Sequence, residues 1–176
     1  MRKEIQLTNP EQIPPLKKGI WLVILHAQRI PPHVGLCFDN NYCSLNIKGK
    51  EINIPAEIML KSISLQKKES LFFELKAHPV FSNSYLHENF LLHLNTFEKV
   101  GDKNSTCFTP IRCFFEENYQ LRNEKLTLLT DLFPELLENE FVRKIYSLNL
   151  KGDLKENSFQ FQTYSQQELI ERLSNL

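Results

Sequence analysis

Gly19-Ile20-Trp21-Leu22-Val23-Ile24-Leu25-His26-Ala27 is the stretch on which the fold turns. It is a continuous apolar run rich in branched side chains. Both alternate sets of positions are apolar as far as Leu25, so it reads as a central strand buried on both faces rather than as an amphipathic one. His26, inside the run, reads as a buried, hydrogen-bonded core histidine.

Working outward, Ile30-Pro31-Pro32 makes a stiff, extended break, because each proline disfavours the helical region for the residue before it. His33-Val34-Gly35-Leu36-Cys37-Phe38 then predicts a second strand, Asp39-Asn40-Asn41 a tight turn, and Tyr42 to Ile47 its hairpin partner. Lys48-Gly49-Lys50 turns the chain again into Glu51 to Ile54. Pro55-Ala56-Glu57 opens a helix to about Leu65, with proline in the first turn, where its missing N–H is harmless. Ser70 to Lys76 returns as a strand.

Leu86, Phe90, Leu91, Leu94 and Phe97 follow helical spacing between Ser84 and Val100, and Gly101-Asp102-Lys103-Asn104 ends that helix. Thr109-Pro110 reads as an N-cap and first helical residue for a helix from Ile111 to Tyr119. A further helix is expected over Leu126 to Glu138, with a break at Pro134. Phe141 to Leu150, the turn Lys151-Gly152-Asp153 and Ser158 to Tyr164 read as a late hairpin. Ser165-Gln166-Gln167-Glu168 is a capping box for a last helix. The expected class is α+β, a small antiparallel sheet with flanking helices.

Composition narrows the function. At 176 residues, with 41% hydrophobic and 24% charged residues, the chain reads as one globular domain over 1–176. Lys plus Arg and Asp plus Glu are 21 each, so there is no net field to attract nucleic acid. Met1-Arg2-Lys3-Glu4-Ile5-Gln6 lacks the apolar run of an export signal, and no stretch approaches the roughly 18 apolar residues of a membrane span. The expectation is a cytoplasmic protein whose four cysteines, Cys37, Cys43, Cys107 and Cys113, are free thiols.

A metal centre is disfavoured by spacing. Cys37 and Cys43 fall on opposite strands of one hairpin, and His87 and His93 lie on different faces of one helix. No cofactor is expected. His78 before Pro79 reads as a turn residue, and Cys113 as inert. Glu116 and Glu117 are adjacent rather than facing, so they do not suggest paired carboxylates. Arg112, on the first turn of the 111–119 helix, is a candidate contact for a substrate carboxylate.

His33 and Cys107 stand apart. His33 opens a strand behind the rigid Pro31-Pro32 segment, and Gly35 leaves space on the same face. Cys107 precedes a helix N-terminus, where unpaired N–H groups favour a thiolate and can hold an oxyanion. His33-Val34-Gly35-Leu36, then Tyr42-Cys43-Ser44-Leu45, then a cysteine leading into a helix resembles the circularly permuted NlpC-type papain-like proteins. That group includes lecithin:retinol acyltransferase-like proteins and bacterial hydrolases.

The resemblance covers about residues 19–120. It implies a papain-like core followed by a helix, hairpin and helix extension over about 121–176. It further implies His33 as general base, Cys107 as nucleophile and an orienting polar group on the strand after His33. Ser44 fits the register and Asn46 the chemistry of a Cys-His-Asn site, and the two share a strand face. The implied function is a thiol hydrolase or acyltransferase acting on a small peptide, acyl or amide substrate through an acyl-cysteine. The rival is a noncatalytic binding or assembly module; Phe159 and Phe161, on alternating positions, either cover the core or form a partner surface for it.

Overall fold

The computed structural model describes residues 4–121, 124, 126–150 and 154–175. In chain order its first half forms β1 (Glu4–Gln6), β2 (Ile20–Leu25), β3 (His33–Phe38), β4 (Asn41–Asn46), β5 (Gly49–Pro55), α1 (Ala56–Gln66) and β6 (Ser70–Leu75). Its second half forms α2 (Asn83–Asn95), α3 (Thr109–Tyr119), α4 (Leu129–Glu138), β7 (Val142–Leu148), β8 (Ser158–Gln160) and α5 (Gln166–Ser174). The fold is α+β. One antiparallel sheet runs β5-β4-β3-β2-β6-β7, and β1 pairs with β8 in a second, two-stranded sheet.

β2 is buried at every position and pairs with β3 on one edge and β6 on the other. Its two sets of side chains enter two separate cores. Trp21, Val23 and Leu25 pack with Phe72 and with Met59 and Ile63 of α1. Ile20, Leu22 and Ile24 join the larger core, to which α2, α3 and α4 contribute Phe90, Phe114 and Phe133. Each such side chain taken from water contributes roughly 1.5–3 kcal/mol. His26 falls just beyond this strand, half-buried in a left-handed turn at φ 54°, and is not a core histidine.

Several elements end differently from their sequence signals. α2 stops at Asn95, five residues before Val100. The Thr96 and Phe97 N–H groups tighten onto the carbonyls three residues back, and the Asp102 carboxylate accepts the Glu98 N–H at 3.0 Å. Phe108, not Thr109, caps α3, because the Thr109 hydroxyl turns upstream to accept the Thr106 N–H at 2.8 Å. α4 continues through Pro134, so no break forms there, and it starts at Leu129. The expected capping box of the last helix is present, with Ser165 accepting the Glu168 N–H.

The late strands do not pair with each other. β7 adds to β6, with Tyr146 opposite Phe72 and Ile145 opposite Phe73, because an apolar β6 needs a neighbour on its second edge. β8 instead pairs with β1. The turn expected at Lys151-Gly152-Asp153 lies outside the described residues. Phe159 and Phe161 are both buried, and Phe161 stacks on Phe133 at 4.4 Å, so they close the core rather than form an exposed surface.

Gly35 is required by contact rather than by backbone angle. A Cβ there would fall 2.5–2.7 Å from the ring and hydroxyl of Tyr42, which is itself buried. Gly35→Ala is expected to lower stability by about 1–3 kcal/mol, the usual cost of overpacking, with a drop of several degrees in Tm by differential scanning calorimetry. An unchanged Tm would show that the Tyr42 ring has free space to move.

Candidate functional site

The hairpin of β3 and β4 opens before it reaches its root. Its pairing runs from Phe38 opposite Asn41 to Gly35 opposite Ser44 and stops there. His33 and Val34 are thereby left unpaired on this side, while Leu45 and Asn46 continue against β5. Cys107 lies against that opening, where its thiol approaches the Pro32 carbonyl at 3.8 Å. It stands one residue before the cap of α3, and α3 is anchored by Phe114, which meets Phe38 and Phe90 edge-on.

Burial pushes the Cys107 thiol up to about 11, even though the backbone N–H groups of Val34, Cys107 and Phe108 draw it back. The resting sulfur is therefore a neutral thiol near neutral pH, already faced by amide donors. Such donors stabilise negative charge when it develops.

His33 is the start of a relay. Its Nε2 lies 3.1 Å from the Ser44 hydroxyl oxygen, and that hydroxyl donates to Glu51 Oε2 at 2.6 Å. Ser44 has one proton, and the carboxylate takes it, so the Ser44 oxygen accepts from His33 Nε2–H. This assignment leaves Nδ1 as the basic nitrogen. Burial lowers His33 to about 4 despite the opposing charge of Glu51, so the ring is neutral near pH 7. The Tyr42 hydroxyl is buried beside this relay, next to Ser44.

Cys107 and His33 line one cavity of about 540 Å³. Among the described residues no hydrogen bond joins the sulfur to the imidazole, and the two share the cavity rather than a direct contact. Its walls are largely apolar, with Phe108, Leu129 and Leu169 among them, and Tyr164 and Arg172 come from the C-terminal part of the chain.

Of the two residues suggested for the third position, only Ser44 meets His33. Asn46 also lines the cavity, but its side-chain oxygen accepts the Lys48 and Gly49 N–H groups and holds the β4–β5 turn. Glu51 is the residue that sequence reasoning missed. The turn is the two residues Ile47-Lys48, closed by Asn46 opposite Gly49, and it sets Ser44 opposite Glu51; the turn expected over Lys48-Gly49-Lys50 sets Ser44 opposite Ile54 instead.

The remaining candidates have other partners. Arg112 pairs with Glu116 along α3 at 3.7 Å, and Glu117 with His93 at 2.7 Å. His78 is a turn residue, with Nε2–H donating to the Asn118 carbonyl and Nδ1 accepting the Val80 and Phe81 N–H groups. Cys37 and Cys43 are buried free thiols, and Cys113 is a half-buried one. Among the described residues no helix is long and apolar enough to cross a membrane. Comparison of the chain with protein-family models, curated proteins and solved structures finds no match.

The His33 environment has a consequence for stability. Because its folded value of about 4 lies below the ordinary 6.5, the unfolded chain binds the proton more readily between these pH values, so stability falls as pH drops through that window. His33→Gln is expected to remove up to about 3 kcal/mol of this loss between pH 6.5 and 4, as measured by urea denaturation across pH. An identical pH profile in the variant would mean that His33 is solvated.

Proposed function

We propose that the chain is a thiol hydrolase or acyltransferase with a permuted NlpC-type papain-like core, acting on an amide, ester or thioester. One observation carries the reading. Cys107, at a helix start with amide donors around its sulfur, lines the same cavity as a histidine held in one tautomer by Ser44 and Glu51.

In this reading the Cys107 sulfur attacks the substrate carbonyl carbon as the thiol proton passes to His33 Nδ1. The new charge on the carbonyl oxygen meets the Cys107, Phe108 and Val34 N–H groups. The imidazolium is steadied through Ser44 by the Glu51 carboxylate, then returns the proton to the leaving amine, alcohol or thiol. An acyl-cysteine results, and water or another acceptor takes the acyl group. Because thiol and imidazole are both neutral at rest, His33 acts as a general base during attack rather than as one half of a standing ion pair. The apolar walls favour an acyl group of some bulk. A cytoplasmic location fits this reading.

Incubation with p-nitrophenyl esters of increasing chain length, followed by intact and peptide mass spectrometry, tests the proposal. The expected result is one acyl adduct on Cys107, absent in Cys107→Ser and formed roughly 100-fold more slowly in His33→Ala. Glu51→Gln is expected to slow it less, because it weakens the relay without removing the base. No adduct, or equal modification of all four cysteines, would overturn the proposal in favour of a noncatalytic binding module.

A further inference from the structure

The Cys107 cavity carries a charge pattern that the chain as a whole does not. Arg29 and Arg172 line it, and among the described residues its lining holds no Asp or Glu, although the chain balances 21 basic against 21 acidic side chains. Arg29 lies in the turn between β2 and β3, where its backbone N–H donates to the His26 carbonyl at 2.8 Å, and Ile30-Pro31-Pro32 leads from it to His33. Arg172 comes from the far end of the chain, on α5, whose Leu169 forms part of the same wall. Both arginines are exposed, which sets two positive charges at the mouth of an apolar interior.

The fold itself uses neither guanidinium. Among the described residues, the side chains of Arg29 and Arg172 take part in no hydrogen bond or ion pair. Glu168, four residues before Arg172 on α5, has its carboxylate occupied by the Ser165 N–H at 2.6 Å. Glu51 lies behind Ser44, outside the cavity lining. Arg112, the arginine expected to meet a substrate carboxylate, is paired with Glu116 and does not line the cavity.

We propose that Arg29 and Arg172 hold an oxyanion of the substrate, a carboxylate or a phosphate, at the cavity mouth while its apolar chain fills the interior. That the bound molecule is a substrate, with its carbonyl at Cys107, rests on the thiol hydrolase or acyltransferase reading; the anion site does not. A guanidinium presents its N–H groups as a planar fork that matches two oxygens of either group, and such charge-assisted bonds are roughly twice as strong as neutral ones. Cations rimming a cleft with low-dielectric walls also concentrate anions there. A neutral molecule of equal length gains the same apolar contact and leaves both forks facing water, so charge is what the mouth selects.

Isothermal titration of the full-length protein with octanoate, octyl phosphate and neutral octanol tests the site. The expected result is that at least one anion binds about tenfold more tightly than octanol, the tighter of the two identifying the group. Arg29→Gln and Arg172→Gln should each weaken that anion about threefold without changing octanol, and added salt should erode the preference. Both side chains are exposed and unpaired, so these variants keep the fold. Equal affinity for all three probes, or a preference that survives the double variant, would overturn the site. Acylation of Cys107 by mono-p-nitrophenyl octanedioate and by p-nitrophenyl octanoate then separates the two readings. Faster reaction of the acid, lost in the double variant, supports both. An anion preference with no Cys107 adduct keeps the anion site and overturns the thiol chemistry, whereas equal rates from both esters with equal probe affinities overturn the anion site and leave the thiol chemistry standing.

Discussion

Two-sided burial of β2 is the constraint on which the remaining structure depends. A strand with no polar position must be paired on both edges and covered on both faces. α1 covers one face, while α2, α3 and α4 cover the other. The apolar β6 carries the same demand one strand further out, which is why β7 is drawn in beside it. The position of α3, and therefore of Cys107, follows from the need to seat Phe114 against Phe38 on the second face.

The candidate site occupies the place where this regular pattern lapses. Antiparallel pairing is most favourable when every partner is used, yet β3 and β4 part at Gly35 and Ser44. The N–H of Val34 is then available to a sulfur instead of to a strand. Below the opening, the β4–β5 ladder brings Glu51 under Ser44. Gly35 lets Tyr42 lie flat beside this relay, so hairpin packing and the polar chain are built from the same few residues.

Strands from Ile20 to Leu75 were legible because their signals are local: apolar runs, turn residues and a proline at a helix start. Segments whose partners are distant in sequence were less so. Phe141 to Leu148 has the composition of a strand, but nothing in it states that β6 rather than β8 is its neighbour. In the candidate site, His33 and Cys107 were singled out from a strand start and a helix start, and Ser44 from the family resemblance, whose register it fits. Asn46 was weighed equally with Ser44 because alternation gives both the same face, and only the turn's demand for an acceptor separates them. Glu51 was missed because the turn expected over Lys48-Gly49-Lys50 sets Ile54 opposite Ser44, whereas the chain turns at Ile47-Lys48. Tyr164, just before α5, and Arg172, within it, reach the cavity from a segment that bears no local mark of its destination.

The buried, protonated state of Cys107 has a further consequence. Peroxides and disulfides attack thiolates, and a thiol with a value near 11 is ionised in only about one molecule in ten thousand at pH 7. A sulfur stored in this form is shielded from the oxidants that inactivate exposed, acidic cysteines.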